Sequence, residues 1–342
     1  MAENIIQFAL VGCGKIGLRH AQLCADSGKL VAVCDIDREK ANQMAEKYSA
    51  ACYYSMGDLL KGEKNIDLLV ICTPNGLHAT HSIQALDKGI HVLCEKPMAI
   101  TVSDAQQMIE AARRTGKELF IVKQNRFNPP VMAVKKLLDD GKLGKISEVQ
   151  VNGFWNRDTD YYQNSMWRGS LNMDGGVLFT QFSHFIDLLY WFLGDIKRAF
   201  AFGNNFNHQD SIEFEDSVVA CLEFQNGVIG TTHFTINSYG KNMEGSLTIF
   251  GENGTVKIGG QYLNAIEYQW IRNLEMEGLP KGNGAINYGT YQGSMSNHDK
   301  FYEHVMDVLK LGVPNQFSGQ DALKTVDIIE RIYAAARLHQ MA

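Results

Sequence analysis

The sequence predicts an α/β chain in two parts, a doubly wound parallel sheet followed by an α+β region built on a largely antiparallel open sheet. Three observations predict it. Up to residue 123, short apolar runs alternate with amphipathic helical stretches. The first run, Phe8-Ala9-Leu10-Val11, breaks into Gly12-Cys13-Gly14-Lys15-Ile16-Gly17 before a helix opens. Beyond residue 123, strand patterns mostly follow one another without helices between them.

The elements of the first part follow in order. A second apolar run, Leu30 to Cys34, ends in Asp35, and a helix pattern covers Arg38 to Tyr48. Asp67 to Cys72 reads as a buried strand ending at Thr73-Pro74-Asn75, then a helix from His78 to Lys88 stops at Gly89. Ile90 to Cys94 is the next strand and closes on Glu95-Lys96-Pro97. Thr101 to Asp104 opens a helix that reaches Arg114 and stops at Gly116, before the strand Leu119 to Val122. Such βα repeats demand a parallel sheet with ligand-binding loops at the carboxyl ends of its strands. A domain over 1–123 and a second over 124–342 are expected.

In the second part, prolines in the first turn and Gly141 beyond the end frame a helix from Pro129 to Asp140. Strands are predicted over Glu148 to Phe154, Ser217 to Phe224, Val228 to Ile236, Ser246 to Phe250 and Thr255 to Ile258. The last two flank the turn Gly251-Glu252-Asn253-Gly254. Further helices are predicted over Val177 to Leu193, Asp299 to Leu311 and Gln320 to His339, and Leu274 to Asn297 reads as loop.

Composition narrows the function classes. A net charge of -6 over 342 residues gives no general attraction to nucleic acid or anionic membranes. No apolar run reaches spanning length, and Met1-Ala2-Glu3-Asn4 lacks the basic start of a signal peptide, so a cytoplasmic protein is expected. The seven cysteines contain no C-x-x-C and read as reduced core residues, with Cys13 in the glycine turn expected to be exposed. His78 and His81 could share a helix face, but neither they nor His298 and His304 fit a ligand pattern, so no metal is expected. The G-x-S-x-G and P-loop signatures are absent.

The glycine turn supplies the first candidate site. Gly12 permits the tight turn, Gly14 lets a pyrophosphate approach the backbone, and Gly17 lets the helix pack on the strand. The helix amides of Lys15 and Ile16 then face the phosphates. Asp35, eighteen residues beyond Gly17, can accept hydrogen bonds from both ribose hydroxyls and repels a 2′-phosphate, which selects NAD over NADP. Thr73, Asn75, Glu95 and Lys96 follow strands directly and are expected at the rim of the cofactor cleft as cofactor-binding residues. Lys96 reads either as a surface lysine paired with Glu95 or as a group beside the nicotinamide. On the helix after Gly175-Gly176, Thr180, His184 and Asp187 form one polar stripe, which either lines a cleft or bonds internally. Trp155-Asn156-Arg157 and Trp167-Arg168-Gly169 read either as an anchored surface loop or as a phosphate and nucleotide holder.

These residues together resemble the glucose-fructose oxidoreductase / inositol dehydrogenase / MocA (Gfo/Idh/MocA) family, over essentially the whole chain. The likeness rests on the glycine turn, Cys72-Thr73-Pro74-Asn75, Glu95-Lys96-Pro97, Gln124-Asn125-Arg126-Phe127, the Gly175 to Asp187 stretch and the C-terminal helix. It implies an NAD-binding Rossmann domain, and Lys96 and His184 as the catalytic residues flanking the nicotinamide and the substrate hydroxyl. It also implies a cis bond before Pro97. Many members carry an aspartate four residues before the histidine, where this chain has Thr180. A subgroup acting on nucleotide-linked sugars also lacks that aspartate, and Trp167-Arg168-Gly169 through His184 looks most like the 3-dehydrogenases of UDP-N-acetylglucosamine and its uronic acid. By the resemblance, His78, Arg126, Trp167 and Arg168 join the cofactor contacts, while Asn125, Arg126, Tyr161 and Thr180 join Lys96 and His184 at the substrate. Tyr162 and Tyr291 are further pocket candidates. The function expected is NAD-dependent oxidation of a sugar hydroxyl. The alternatives are a polyol or free-sugar dehydrogenase and a non-catalytic NAD(H)-sensing protein. A homodimer or homotetramer formed through the second-domain sheet is expected, because the apolar alternation in Val228 to Ile236 and Ser246 to Ile258 needs a cover.

Overall fold

The computed structural model describes residues 5–287 and 292–340. They divide into two compact units, the chain up to Val122 with His298–Leu323, and Lys123–Asn297 with the chain from Lys324 onward. The return of 298–323 to the first unit departs from a single cut at residue 123. Burial explains it: Phe301 and Tyr302 are almost fully enclosed, and the Phe317 carbonyl accepts from the Ile121 amide at 2.9 Å.

In the first unit, strands β1 (Gln7–Val11), β2 (Lys29–Cys34), β3 (Ala51–Tyr53), β4 (Leu68–Ile71), β5 (His91–Cys94) and β6 (Leu119–Ile121) are joined by α1 (Lys15–Ser27), α2 (Arg38–Tyr48), α3 (Met56–Gly62), α4 (His78–Asp87) and α5 (Val102–Thr115). The sheet is wholly parallel in the order β3-β2-β1-β4-β5-β6. Helices on both faces require strands apolar throughout, and Phe8, Ala9 and Leu10 have no exposed surface. Local chemistry starts and stops the helices. Asp37 caps α2 by accepting from the Glu39 and Lys40 amides, Thr101 caps α5, and Gly116 ends α5 at φ +64°. Strand order reverses between β1 and β4, which sets the glycine turn beside Cys72 and Thr73.

The second unit holds α6 (Pro129–Asp139), β7 (Ile146–Phe154), α7 (Thr159–Gln163), α8 (Val177–Thr180), α9 (Ser183–Leu193) and β8 (Ile196–Asn204). It continues with β9 (Ser217–Phe224), β10 (Ile229–Thr235), β11 (Glu244–Gly251), β12 (Gly254–Gly259), β13 (Ala265–Ile271), β14 (Ala285–Asn287) and β15 (Gln292–Met295). Its seven-stranded sheet runs β13-β12-β11-β7-β10-β9-β8 and is antiparallel except where β7 meets β10. Two sequence expectations change here. The helix expected over 177–193 is two helices, because the Phe182 amide reaches back five residues to the Val177 carbonyl and the Phe182 ring stacks on Phe234 at 4.7 Å. Gly153 makes room for that ring: a Cβ there would lie 2.7 Å from it. The expected loop from Leu274 contains the paired strands β14 and β15. Tyr291 lies outside the described residues. The chain closes with α10 (His298–Leu311) and α11 (Gly319–Gln340).

Candidate active site

The first unit carries a dinucleotide-binding turn whose three glycines have separable roles. Gly12 sits at φ +97°, and a Cβ there would lie 2.4 Å from the Cys72 carbonyl oxygen. At Gly17 a Cβ would lie 2.0 Å from the Gly12 carbonyl oxygen. Gly14 differs, since a Cβ there meets nothing within 4 Å. That open side, at the start of α1 where the amides of Lys15 and Ile16 begin the helix, is where a pyrophosphate can reach the backbone. Asp35 follows β2, and its carboxylate accepts from the Cys13 amide at 2.7 Å and the Asp37 amide at 2.8 Å. The residues present therefore fit NAD. Cys13 is buried, contrary to the expectation of exposure, because its thiol turns in to the Cys34 carbonyl; burial pushes its pKa up to about 12. The exposed cysteine among the seven is Cys221.

At the ends of β4 and β5 the predicted rim residues come together. The Thr73 hydroxyl lies 3.2 Å from His81 Nδ1, Asn75 is buried, and the Lys96–Pro97 peptide bond is cis. His78, expected among the cofactor contacts, is buried: its Nδ1 lies 2.7 Å from the Pro97 carbonyl and its Nε2 2.9 Å from the Thr73 carbonyl, so the ring braces these two turns. Glu95 is buried, and its carboxylate meets His20 at 2.8 Å, His298 at 3.3 Å and the Lys96 main-chain amide at 3.0 Å.

In the second unit His184 is buried one residue into α9, as the break at Phe182 redirects the chain. Its Nε2 lies 3.4 Å from Gln124 Nε2 and 3.5 Å from Ser294 Oγ, and the Gln124 amide donates to Ser294 at 2.9 Å. With the Gln124 amide nitrogen as donor, His184 Nε2 is the acceptor of this contact, the role a base requires. Among the described residues, Gln124 Oε1, Asn125 Oδ1, Gln181 Oε1 and Ser183 Oγ are buried without a hydrogen-bond partner. They sit on the turns adjoining His184. Leaving each unsatisfied costs about 1–3 kcal/mol, which fits a hydroxyl-rich ligand there.

Other predicted contacts are taken up inside the unit. Arg126, expected at the cofactor and the substrate, grips Asp187 with Nε and Nη2, both at 2.8 Å, while Lys123 reaches the same carboxylate at 2.6 Å. Asp187 thus leaves the polar stripe for a buried ion cluster. The Thr180 hydroxyl donates to Asp174, a fully buried carboxylate that also accepts from the Gly169 amide at 2.9 Å. Trp155 is core, packed on Phe182 and Phe185, and Arg157 Nη1 donates to Asn242 at 3.1 Å. Arg168 stacks over Tyr161 at 4.1 Å, beside Trp167, and Tyr161 accepts from Gln181 at 3.3 Å. Tyr162 is buried against His208. Ser294 and Asp174 were not singled out by sequence, and Gln124 only as the first residue of the Gln124-to-Phe127 motif, since nothing in their spacing ties them to His184 or Thr180.

Two family models match the chain, one described as an oxidoreductase family with an NAD-binding Rossmann fold over residues 6–123, the other as the GFO/IDH/MocA C-terminal domain over residues 131–257. The chain belongs to the Gfo/Idh/MocA family. As a member it is an NAD-dependent dehydrogenase. It is similar to the WlbA dehydrogenase from Bordetella pertussis, solved with NADH and UDP-GlcNAcA, at 34% identity over 98% of this chain and 97% of that one, with a TM-score of 0.87. The WlbA dehydrogenase from Chromobacterium violaceum, solved with the same two ligands, is 32% identical over 98% and 95% of the two chains, with a TM-score of 0.89. Among curated relatives, the D-apiose dehydrogenase of Paraburkholderia graminis is 26% identical over 96% of this chain and 87% of its own length. No helix among the described residues is long and apolar enough to cross a membrane.

Proposed function

We propose that the protein oxidises the 3-hydroxyl of a UDP-linked 2-acetamido sugar, or of its uronic acid, to a ketone. The observation that carries this reading is the full-length similarity, at 34% and 32% identity, to two dehydrogenases solved with UDP-GlcNAcA. NAD, when bound, accepts the hydride from the sugar carbon. An alcohol gives up hydride poorly until its proton leaves. His184 takes that proton at Nε2, and the Lys96 ammonium stabilises the developing alkoxide. The unpartnered oxygens of Gln124, Asn125 and Gln181 accept hydrogen bonds from the sugar hydroxyls. With Trp155 and Arg157 in the core, nucleotide recognition falls to Trp167, Arg168 and Tyr161, whose cation–ring stack is only half-buried. Binding energy at the nucleotide then holds the reacting hydroxyl in place.

The apiose relative favours a second reading, a free-sugar or polyol dehydrogenase. Comparing kcat/KM for UDP-N-acetylglucosamine and its uronic acid with D-apiose, myo-inositol and glucose decides between them. Higher efficiency on an unlinked compound replaces the nucleotide-sugar reading. We further propose that the protein is a cytoplasmic homo-oligomer, with the open face of the second-unit sheet covered by another copy. Its free thiols suit a reducing compartment.

A further inference from the structure

We propose that Glu95 is a positioning residue for Lys96, holding its main chain through a buried network that ties the strand-end turn to α1 and α10. The inference deepens the role given to Lys96 above and rests on it. Every member of the network belongs to the first unit.

The donors and acceptors of the cluster make it a hydrogen-bond network. Three ligand atoms, from His20, Glu95 and His298, lie within 4.8 Å of one another, as in a metal site. Arg19 Nε, however, donates to His298 Nδ1 at 3.4 Å. An arginine cannot accept, so in the neutral ring the proton sits on Nε2, which then donates to Glu95 Oε1 and has no lone pair for a metal. Burial pushes the His298 pKa down and keeps that ring neutral. Tyr302 lies 2.8 Å from His20 Nδ1 and 3.5 Å from Cys24 Sγ. The consistent arrangement is Cys24 thiol to Tyr302 oxygen, Tyr302 hydroxyl to His20 Nδ1, and His20 Nε2–H to Glu95 Oε1 at 2.8 Å. Every donor therefore runs toward one anionic carboxylate.

That leaves Glu95 Oε2 for a single task, accepting from the Lys96 amide at 3.0 Å. Burial by itself pushes the Glu95 carboxyl up, but the hydrogen bonds from His20 and His298 outweigh it and hold it well below the usual carboxylate range. The other titratable groups around it are Arg19 and Cys24 on α1, Tyr302 on α10, Cys72 after β4, Cys94 on β5, His78 on α4 and Lys96 itself. Burial holds the thiols of Cys24, Cys72 and Cys94 protonated, so none competes for the charge. His20 is also five residues into α1, the helix whose first amides would hold the cofactor phosphates. The network therefore references the Lys96 main chain to the same helix that seats NAD.

Glu95→Gln and Glu95→Asp separate charge from reach. They are assayed on whichever of UDP-N-acetylglucosaminuronate, D-apiose or myo-inositol the wild type turns over fastest, alongside NADH binding by fluorescence and kcat across pH. Glu95→Gln is expected to lower kcat about 10- to 100-fold while NADH affinity changes less than about 3-fold. Its alkaline limb should move to lower pH, because Lys96 loses a neighbouring negative charge. Glu95→Asp keeps that limb but lowers kcat, since the shorter side chain cannot reach both the imidazoles and the amide. A merely structural role shifts Tm and leaves the limb in place. Wild-type kcat in both variants overturns the inference; if Glu95→Gln does not fold, wild-type kcat in Glu95→Asp does so alone. Lys96→Met keeps the two failures apart: an active Lys96→Met enzyme refutes the role of Lys96, whereas an inactive one beside unaffected Glu95 variants refutes only the positioning.

Discussion

His184 has Thr180 four residues before it where many family members carry an aspartate, and its Nε2 lies 3.4 Å from the Gln124 amide and 3.5 Å from the Ser294 hydroxyl. His184→Ala should therefore lower kcat by roughly 10² to 10⁴. Gln124→Ala should lower it by about 10-fold at unchanged NADH affinity, as loss of an orienting contact and not of the base. Steady-state kinetics with NADH titration checks both, and equal losses in the two variants would contradict the division of roles. Asp187 carries a different prediction. Burial pushes its carboxyl up, but Arg126 and Lys123 outweigh burial and drive it far below the usual range. A carboxylate depressed in the folded state contributes stability above its unfolded pKa of about 3.9 and loses it as pH falls toward the folded value. Asp187→Asn leaves two buried cations facing an amide, with an expected loss of about 3–5 kcal/mol at neutral pH. Urea unfolding at neutral and acid pH should show that gap narrow on acidification. Lys96 and His184 were singled out through the likeness of Glu95-Lys96-Pro97 and the Gly175 to Asp187 stretch to family motifs, since spacing alone left each a structural reading as well. The contacts of Gln124, Ser294 and the Glu95 network were not legible in sequence, since their partners lie 60 to 203 residues away.

At the scale of elements, the glycine turn was readable from its spacing after a strand, and its glycines answer different demands: backbone close to Gly12 and Gly17, an open side at Gly14. The structure now separates those demands experimentally. Gly17→Ala places a Cβ 2.0 Å from backbone that cannot yield, so it should cost about 1–3 kcal/mol and lower Tm. Gly14→Ala meets no protein atom within 4 Å, so Tm of the apoprotein should hold while NADH affinity falls, because the new methyl stands where the pyrophosphate approaches. Thermal unfolding and NADH fluorescence read the two effects, and a Gly14→Ala protein that binds NADH normally refutes this placement of the cofactor. The split between α8 and α9 was not readable, as the run from Val177 to Leu193 holds neither proline nor glycine. The break comes from Phe182 seating over Gly153 and Phe234, a tertiary contact that overrides local pattern. Strands β8 and β13 escaped for another reason. They are the edges of the sheet, and Lys197, Arg198 and Glu267 interrupt their apolar alternation.

For the molecule as a whole, local pattern identified the parallel and antiparallel sheets but not the return of 298–323 to the first unit, because no local signal encodes which sheet a helix joins. The same alternation that marked the second sheet also says what its outer face needs. Inward residues such as Val218, Ala220, Leu222 and Phe234 are buried. On the opposite face of β8, β9 and β10, Phe200 is 50% exposed, Phe202 59%, Val219 41% and Ile229 56%. Phe202 pairs directly with Val219 and Phe200 with Cys221, so these side chains are contiguous across strands. Each fully covered large apolar side chain is worth about 1.5–3 kcal/mol, enough for a few of them to hold two copies together at micromolar concentration. Covered by a second copy through the same residues, such a face would close by two-fold pairing. Phe202→Glu puts a charge at that contact on both copies at once, and the paired variant Phe200→Glu/Phe202→Glu removes its aromatic centre. Sedimentation velocity should show the wild type as a dimer or tetramer and the double variant as a monomer with unchanged far-UV circular dichroism. A wild-type monomer, or a double variant of undiminished mass, rules this face out as the oligomer contact.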